Sequence, residues 1–175
     1  HKKLIIIYII MDRIVIIDDE EPGRELVKHY LKEVESIEVI AECSDGFSGL
    51  KTISTLKPDL VFLDIQMPGF DGFSVVSGLA DVEPPLFVFV TAYSDQAIRA
   101  FEAQATDYLM KPVDEDRLAA TLDRVRQRLS EKKGVEEVER LKEALAEHAP
   151  EGHDEMVDSA GEEAPAANRF EKLIN

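Results

Sequence analysis

The sequence has one cysteine, Cys43, among 175 residues. A single thiol excludes an internal disulfide and a cysteine-rich zinc site, and it fits a reducing cytoplasm. Positive charge is also scarce. Twenty Lys and Arg stand against 36 Asp and Glu, for a formal net charge of −16. Nonspecific nucleic-acid binding by this chain is therefore disfavoured. No GxGxxG or Walker loop follows any strand-like run, so a nucleotide reading lacks the glycines that cradle phosphates. Long apolar runs are missing too. Leu4 to Ile10 is a run of seven residues, far below the roughly 20 that span a bilayer. It lacks the small-residue cleavage site of a signal peptide. Met11 opens a sequence that makes sense as a natural start. Residues 1–10 are read as an appended or start-site extension, with an extra edge strand as the alternative. No membrane partner is expected.

What is present is an alternation. Hydrophobic content is 45%, enough for a core, and the length suggests one domain plus extra material. Ile14-Val15-Ile16-Ile17 is a β-branched run, read as a first strand. Pro22 suits a first helical position, and Leu26, Val27, Tyr30, Leu31 and Val34 follow at helical spacing. Ile37, Val39 and Ala41 alternate with their neighbours in a second, more peripheral strand. Ser44-Asp45-Gly46 starts a helix with Phe47, Leu50, Ile53, Ser54 and Leu56 on its core face. Leu60-Val61-Phe62-Leu63 reads as a strand buried on both faces. Phe73, Val76 and Leu79 support a short third helix. Leu86-Phe87-Val88-Phe89-Val90 is the fourth strand. Ser94 can cap a fourth helix, from Asp95 to about Gln104, with Ala97, Ile98 and Phe101 on one face. Asp107-Tyr108-Leu109-Met110 is a short fifth strand, and Asp114 can cap a fifth helix through Leu118, Leu122, Val125 and Leu129. Five such alternations predict a doubly wound α/β domain over about residues 12–130.

All five strand ends then face one edge, the ligand-binding edge of open α/β sheets. That edge receives Asp18 and Asp19 after strand one, Asp64 after strand three, Thr91 after strand four and Lys111 after strand five. Carboxylates held this close repel one another unless a cation joins them. A hard divalent ion such as Mg²⁺ fits a few carboxylates plus waters and phosphate oxygens. A lysine and a hydroxyl beside it supply donors for an oxyanion. These are the parts phosphoryl transfer needs, and a carboxylate can itself be the acceptor.

Four blocks carry a family resemblance: Ile16-Ile17-Asp18-Asp19-Glu20, Leu63-Asp64-Ile65-Gln66-Met67-Pro68, Val90-Thr91-Ala92-Tyr93 and Tyr108-Leu109-Met110-Lys111-Pro112. Together they resemble the signature of two-component response-regulator receiver domains. The resemblance implies a flavodoxin-like parallel sheet of order 2-1-3-4-5 with helices on both faces. It implies Asp64 as phospho-acceptor. Mg²⁺ (or Mn²⁺) would be held by Asp18, Asp19, Asp64 and the Gln66 carbonyl. Lys111 would pair with the phosphoryl oxygens, Thr91 would hydrogen-bond to them, and Tyr108 would be the switch aromatic. The Lys111-Pro112 bond would be cis. Gln66 and Tyr93 would tune the phosphoryl lifetime. The donor would be a sensor histidine kinase or a small acyl phosphate, and the chain would not be a turnover enzyme. Phosphorylation would favour a homodimer through the fourth helix, fifth strand and fifth helix.

Residues 89–113 are similar to receivers attached to LytTR-type DNA-binding domains, which implies a transcriptional output. Residues 11–131 are then the receiver domain. Residues 132–148 form a helical linker with Val135, Val138, Leu141 and Leu145 on a coiled-coil-like stripe. Residues 149–168 are read as a disordered acidic linker, and residues 169–175 as the stub of an output domain through which alone DNA would be bound. Two other readings compete. A haloacid-dehalogenase-type phosphatase also uses an Asp after a strand, but places a second Asp where Gln66 stands. A degenerate receiver used only for docking would lack one of Asp18, Asp19, Asp64, Thr91 and Lys111.

Overall fold

A computed structural model describes residues 12–81 and 83–147. The strands are β1 (Asp12–Ile17), β2 (Ile37–Cys43), β3 (Leu60–Asp64), β4 (Leu86–Thr91) and β5 (Asp107–Met110). Between them lie α1 (Glu21–Leu31), α2 (Gly46–Leu56), α3 (Gly72–Ser77) and α4 (Ala97–Glu102), and α5 (Glu115–Glu147) comes last. Every pairing is parallel, and the order is β2-β1-β3-β4-β5. This is the doubly wound sheet expected from the alternation of elements, in the flavodoxin-like order that the family resemblance implies.

The two-residue period of a strand divides each apolar run between two layers. Ile14 and Ile16 of β1, Leu60 and Phe62 of β3, and Val88 and Val90 of β4 face α1 and α5. Val15 and Ile17, Val61 and Leu63, and Phe87 and Phe89 face α2, α3 and α4. A strand covered on both sides must be apolar at every position, so β3 is buried from end to end. Each large side chain fully buried here contributes about 1.5–3 kcal/mol of transfer free energy. β2, one of the two edge strands, is mostly half-buried, as its weaker alternation suggests.

Three local expectations need correction. α4 is only six residues long and is preceded by a single 3-10 turn, Ser94–Gln96. Ser94 makes no cap, and of the helix only Ala100 is buried; Ile98 and Phe101 point outward. Small residues seat this helix: Ala100, Ala103 and Ala105 pack on the sheet, and Gln104 ends it with φ 59. Phe47 is likewise exposed, edge-on to Phe70, because Gly46, Gly49 and Ile53 form the buried stripe of α2. Finally, Gly134 would be expected from its low helix propensity to weaken the join between the fifth helix and the linker helix, but α5 runs through it unbroken. A helical glycine costs about 1 kcal/mol, and the flanking Glu, Lys and Arg residues are good helix formers.

The chain divides into two compact units, residues 1–138 and 139–175. Of the second, residues 139–147 are described; they are helical, with Leu141 and Leu145 exposed. Val135 and Val138 of the first unit are exposed as well. The expectations for residues 1–10, 149–168 and 169–175 lie outside the described residues. Among the described residues no helix is long and apolar enough to cross a membrane.

A polar lock fixes β5 on α5. Arg117 donates to both Asp107 carboxylate oxygens (2.8 and 2.6 Å) and to the Tyr108 carbonyl at 3.1 Å. Thr121 and Arg124 add bonds of 2.7 and 2.5 Å to Asp107. Burial alone would raise the Asp107 pKa, but these donors hold it far below the usual carboxylate range. The folded state therefore binds this proton more weakly than the unfolded chain does. The lock's stability is complete above an unfolded carboxylate pKa of about 4 and is lost as pH falls further. Asp107→Asn should cost about 2 kcal/mol at pH 7 and flatten the acid limb of stability against pH, measured by urea unfolding between pH 7 and pH 3.

Candidate functional site

The carboxyl edge of the sheet collects one group from each of four strand ends. Asp18 follows β1 directly, Asp64 ends β3, Thr91 ends β4 and Lys111 follows β5. Register places them. Asp64 pairs with Val90, so Thr91 stands one residue beyond it, and Thr91 pairs with Met110, so Lys111 comes next. Lys111 N–H donates to the Thr91 carbonyl at 2.8 Å, which carries the ladder into the loop, and the Lys111-Pro112 bond is cis.

The Lys111 ammonium sits 2.8 Å from Asp18 Oδ2, 2.9 Å from Asp64 Oδ2 and 3.1 Å from Glu20 Oε2. Asp18 and Asp64 are buried, while Glu20 is open to solvent. One ammonium thus serves three carboxylates. Burial is the main cause that raises the Asp64 pKa. Lys111 opposes the rise and the neighbouring Asp18 adds to it. Lys111 is shifted upward as well: burial would lower it, but the bonds to Asp18 and Asp64 overcome that. The two shifts differ in origin: burial dominates at Asp64, whereas the neighbouring carboxylates dominate at Lys111.

Backbone amides hold the two buried acids in place. Asp18 Oδ1 accepts from Glu20 N–H at 2.9 Å, and Asp64 Oδ1 accepts from Gln66 N–H at 3.1 Å. Each acid therefore turns one oxygen to its own loop and the other to Lys111. Arg24 adds a bond from Nη1 to the Asp18 carbonyl at 2.7 Å. Close approach does the rest. A Cβ on Gly23 would lie 2.5 Å from Asp18 Oδ2, and one on Gly72 would lie 2.4 Å from the Asp64 carbonyl. Glycine lets α1 close on the Asp18 carboxylate and the start of α3 close on the Asp64 main chain.

One carboxylate oxygen each from Asp18, Glu20 and Asp64 lies within 4.8 Å of the others. An all-oxygen set with surplus negative charge suits a hard divalent cation. Glu20 was not singled out from the sequence, although it lies in the acidic run after β1. Asp19, which was, is exposed and lines the neighbouring cleft with Gln66. Thr91 is fully buried, and its Oγ1 accepts a long bond of 3.4 Å from Tyr93 N–H. Tyr108 is half-buried, and its hydroxyl donates to the Tyr93 carbonyl.

The family model for the response regulator receiver domain matches residues 14–123. The chain belongs to this family. A receiver domain of this kind is part of a response regulator, and two curated relatives agree. A response regulatory protein of Yersinia pestis is 44% identical over 146 residues, covering 83% of this chain and 60% of the relative. The transcriptional regulatory protein BtsR of Escherichia coli K12 is 45% identical over 120 residues, covering 69% and 50%. The chain thus spans about half the length of the curated relatives it matches. Among solved structures, the response regulatory domain of mrkE from Klebsiella pneumoniae superposes with a TM-score of 0.63 at 28% identity, over 68% of this chain and 98% of that one. The receiver domain of AraT from Geobacillus stearothermophilus gives 0.62 at 29%, over 69% and 97%.

The shared cation makes a direct prediction for this receiver domain. Lys111→Met leaves Asp18 and Asp64 facing each other, buried and unpaired, at a cost of about 3 kcal/mol at pH 7. The folded state would then bind protons more tightly than the unfolded chain. Stability should recover as pH falls from 7 towards the unfolded carboxylate pKa of about 4. Urea midpoints that do not rise on acidification of the variant would contradict the shared-cation account.

Proposed function

We propose that Asp64 is the phospho-acceptor of a two-component response regulator, taking a phosphoryl group from a sensor histidine kinase or a small acyl phosphate. The observation that carries this reading is the Lys111 ammonium held against Asp64 at 2.9 Å and Asp18 at 2.8 Å at the carboxyl edge of the sheet. Asp64 is held by its loop amide and carries its other oxygen on a movable lysine, so it can present that oxygen to phosphorus. Asp18, Asp64, the Gln66 carbonyl and either Asp19 or Glu20 would hold Mg²⁺ or Mn²⁺. The ion would supply charge neutralisation for the transferring group.

On transfer, an Asp64 oxygen bonds to phosphorus and the donor's bond to phosphorus breaks. Lys111 passes from the carboxylate to the phosphoryl oxygens, and the Thr91 hydroxyl turns to the same oxygens. Tyr93 bonds Thr91 through its N–H and Tyr108 through its carbonyl, so a movement of Thr91 is felt by the switch aromatic Tyr108. Gln66 and Tyr93 flank the site and tune the lifetime of the aspartyl phosphate. On this reading the domain assists its own phosphorylation and dephosphorylation and has no turnover substrate. The chain then works in the cytoplasm.

The output is proposed as a homodimer through α4, β5 and α5, driving a LytTR-type DNA-binding module joined through residues 132–168. Ile98 and Phe101 of α4 and Met110 of β5 are exposed apolar side chains on that face. BtsR is named a transcriptional regulatory protein, and the chain spans half of it.

Three measurements test this. Acetyl phosphate with Mg²⁺ should label Asp64, and label that survives Asp64→Asn would sink the assignment. Mg²⁺ at ten times its Kd should raise unfolding stability by about 1.4 kcal/mol. Glu20→Gln weakens that gain if Glu20 is a ligand, whereas Asp19→Asn weakens it if Asp19 is. Beryllofluoride should shift the sedimentation of the chain towards a dimer.

A further inference from the structure

Beside the phospho-acceptor an open cleft of ≈ 460 Å³ is lined by Asp19, Gln66, Asp71, Gln96 and Arg99, among others. Arg99 is the one cation among its lining residues. It is also held in place. Its guanidinium carbon lies 4.1 Å from the centroid of the Phe73 ring, and its Nη1 donates to Gln96 Oε1 at 3.3 Å. Phe73 rests in turn on the buried Phe89 of β4, with ring centroids 5.1 Å apart. A guanidinium stacked on an aromatic rooted in the core has lost much of its side-chain freedom already, so engaging an anion costs less ordering.

We propose that Arg99 is a specificity-determining residue for small acyl-phosphate donors, receiving the carboxylate that leaves as Asp64 takes the phosphoryl group. The proposal rests on Asp64 being the phospho-acceptor. The Asp64 carboxylate forms a bond to phosphorus while the bond from phosphorus to the acyl oxygen breaks. The electron pair of that bond departs on the acyl carboxylate. The donor dianion and the Asp64 anion become an aspartyl phosphate dianion and a carboxylate anion, so charge balances and no proton is required. The leaving oxygen departs roughly in line with the attacking one. With Lys111 engaged on the phosphoryl oxygens, Arg99 is the one cation among the cleft's lining residues, which include Asp19 and Asp71, for a departing anion to meet. The planar guanidinium fork matches a carboxylate with two parallel hydrogen bonds. A donor with a neutral leaving group, such as phosphoramidate, which releases ammonia, gains nothing from Arg99.

The test compares the wild-type chain with Arg99→Gln and Arg99→Lys in saturating Mg²⁺. Asp64 phosphorylation is followed by intact-mass measurement with acetyl phosphate and, separately, with phosphoramidate. Arg99→Gln should slow the acetyl phosphate reaction about tenfold, the scale of one charge-assisted hydrogen bond. It should leave the phosphoramidate rate within about twofold. Arg99→Lys should fall between, since it keeps the charge without the fork. Beryllofluoride has no leaving group and should bind all three proteins alike, which checks that the acceptor site is intact. Equal losses with both donors would show that Arg99 acts only by seating α4 on Phe73, and no loss with either would also overturn the proposal. Failure of the wild-type chain to take label from either donor is a different result; it removes the phospho-acceptor reading and this inference with it.

Discussion

The structure of the site depends on one ammonium shared among carboxylates. Lys111 comes from β5, yet its partners Asp64 and Asp18 belong to β3 and β1, beyond β4 in the sheet order. The side chain must reach across the end of β4, where Thr91 stands. Only a long, flexible cation can do this, and a strand order that did not put β4 between them would not bring Thr91 under the same span. Two buried acids in contact would oppose folding by themselves. The lysine offsets that cost, and the excess negative charge that remains makes the edge receptive to a divalent cation.

Such an arrangement needs a rigid frame, and two features supply it. Strands apolar on both faces are clamped between α1 and α5 on one side and α2, α3 and α4 on the other. β5 is the shortest strand and lies at an edge, so it has the least apolar area to hold it. There the Asp107–Arg117–Thr121 lock fixes its first residue to α5. Lys111 lies four residues further on, so the lock that secures β5 also secures the lysine's starting point.

Much of this was legible in the sequence because its periods are simple. Runs such as Leu60-Val61-Phe62-Leu63 have no polar position to turn outward, so they had to be inner strands with their ends at one edge. The convergence of Asp18, Asp64, Thr91 and Lys111 followed from parallel topology alone. What was not legible depended on tertiary choice. Phe47 and Phe101 are hydrophobic at helical spacing, but glycines and alanines on the same helices pack closer to the sheet and take the buried stripe. Gly134 weakens the join between the fifth helix and the linker on propensity alone, although a lone glycine's helical penalty is small beside the propensity of its neighbours. Which of Asp19 and Glu20 turns towards Lys111 depends on how the loop enters α1, through the Asp18-to-Glu20 amide bond. No periodicity encodes that.

α4 joins the site to the surface. Its buried anchor is the single small residue Ala100, so it is held by little apolar area. Helices of that kind lie at the low-stability end of a fold and move at small cost. Arg99 faces the cleft and the Phe73 ring, while Ile98 and Phe101 face solvent. Just before it, Tyr93 is tied to Thr91 through its amide and to Tyr108 through its carbonyl. A displacement of the Thr91 hydroxyl acts first on the long bond from the Tyr93 amide, and Tyr93 is the residue that Tyr108 also holds. On the proposed switch reading, the weak seating of α4 would let a change at the buried strand ends reach an exposed apolar face, and a better-packed helix in the same position would be more stable but would transmit less.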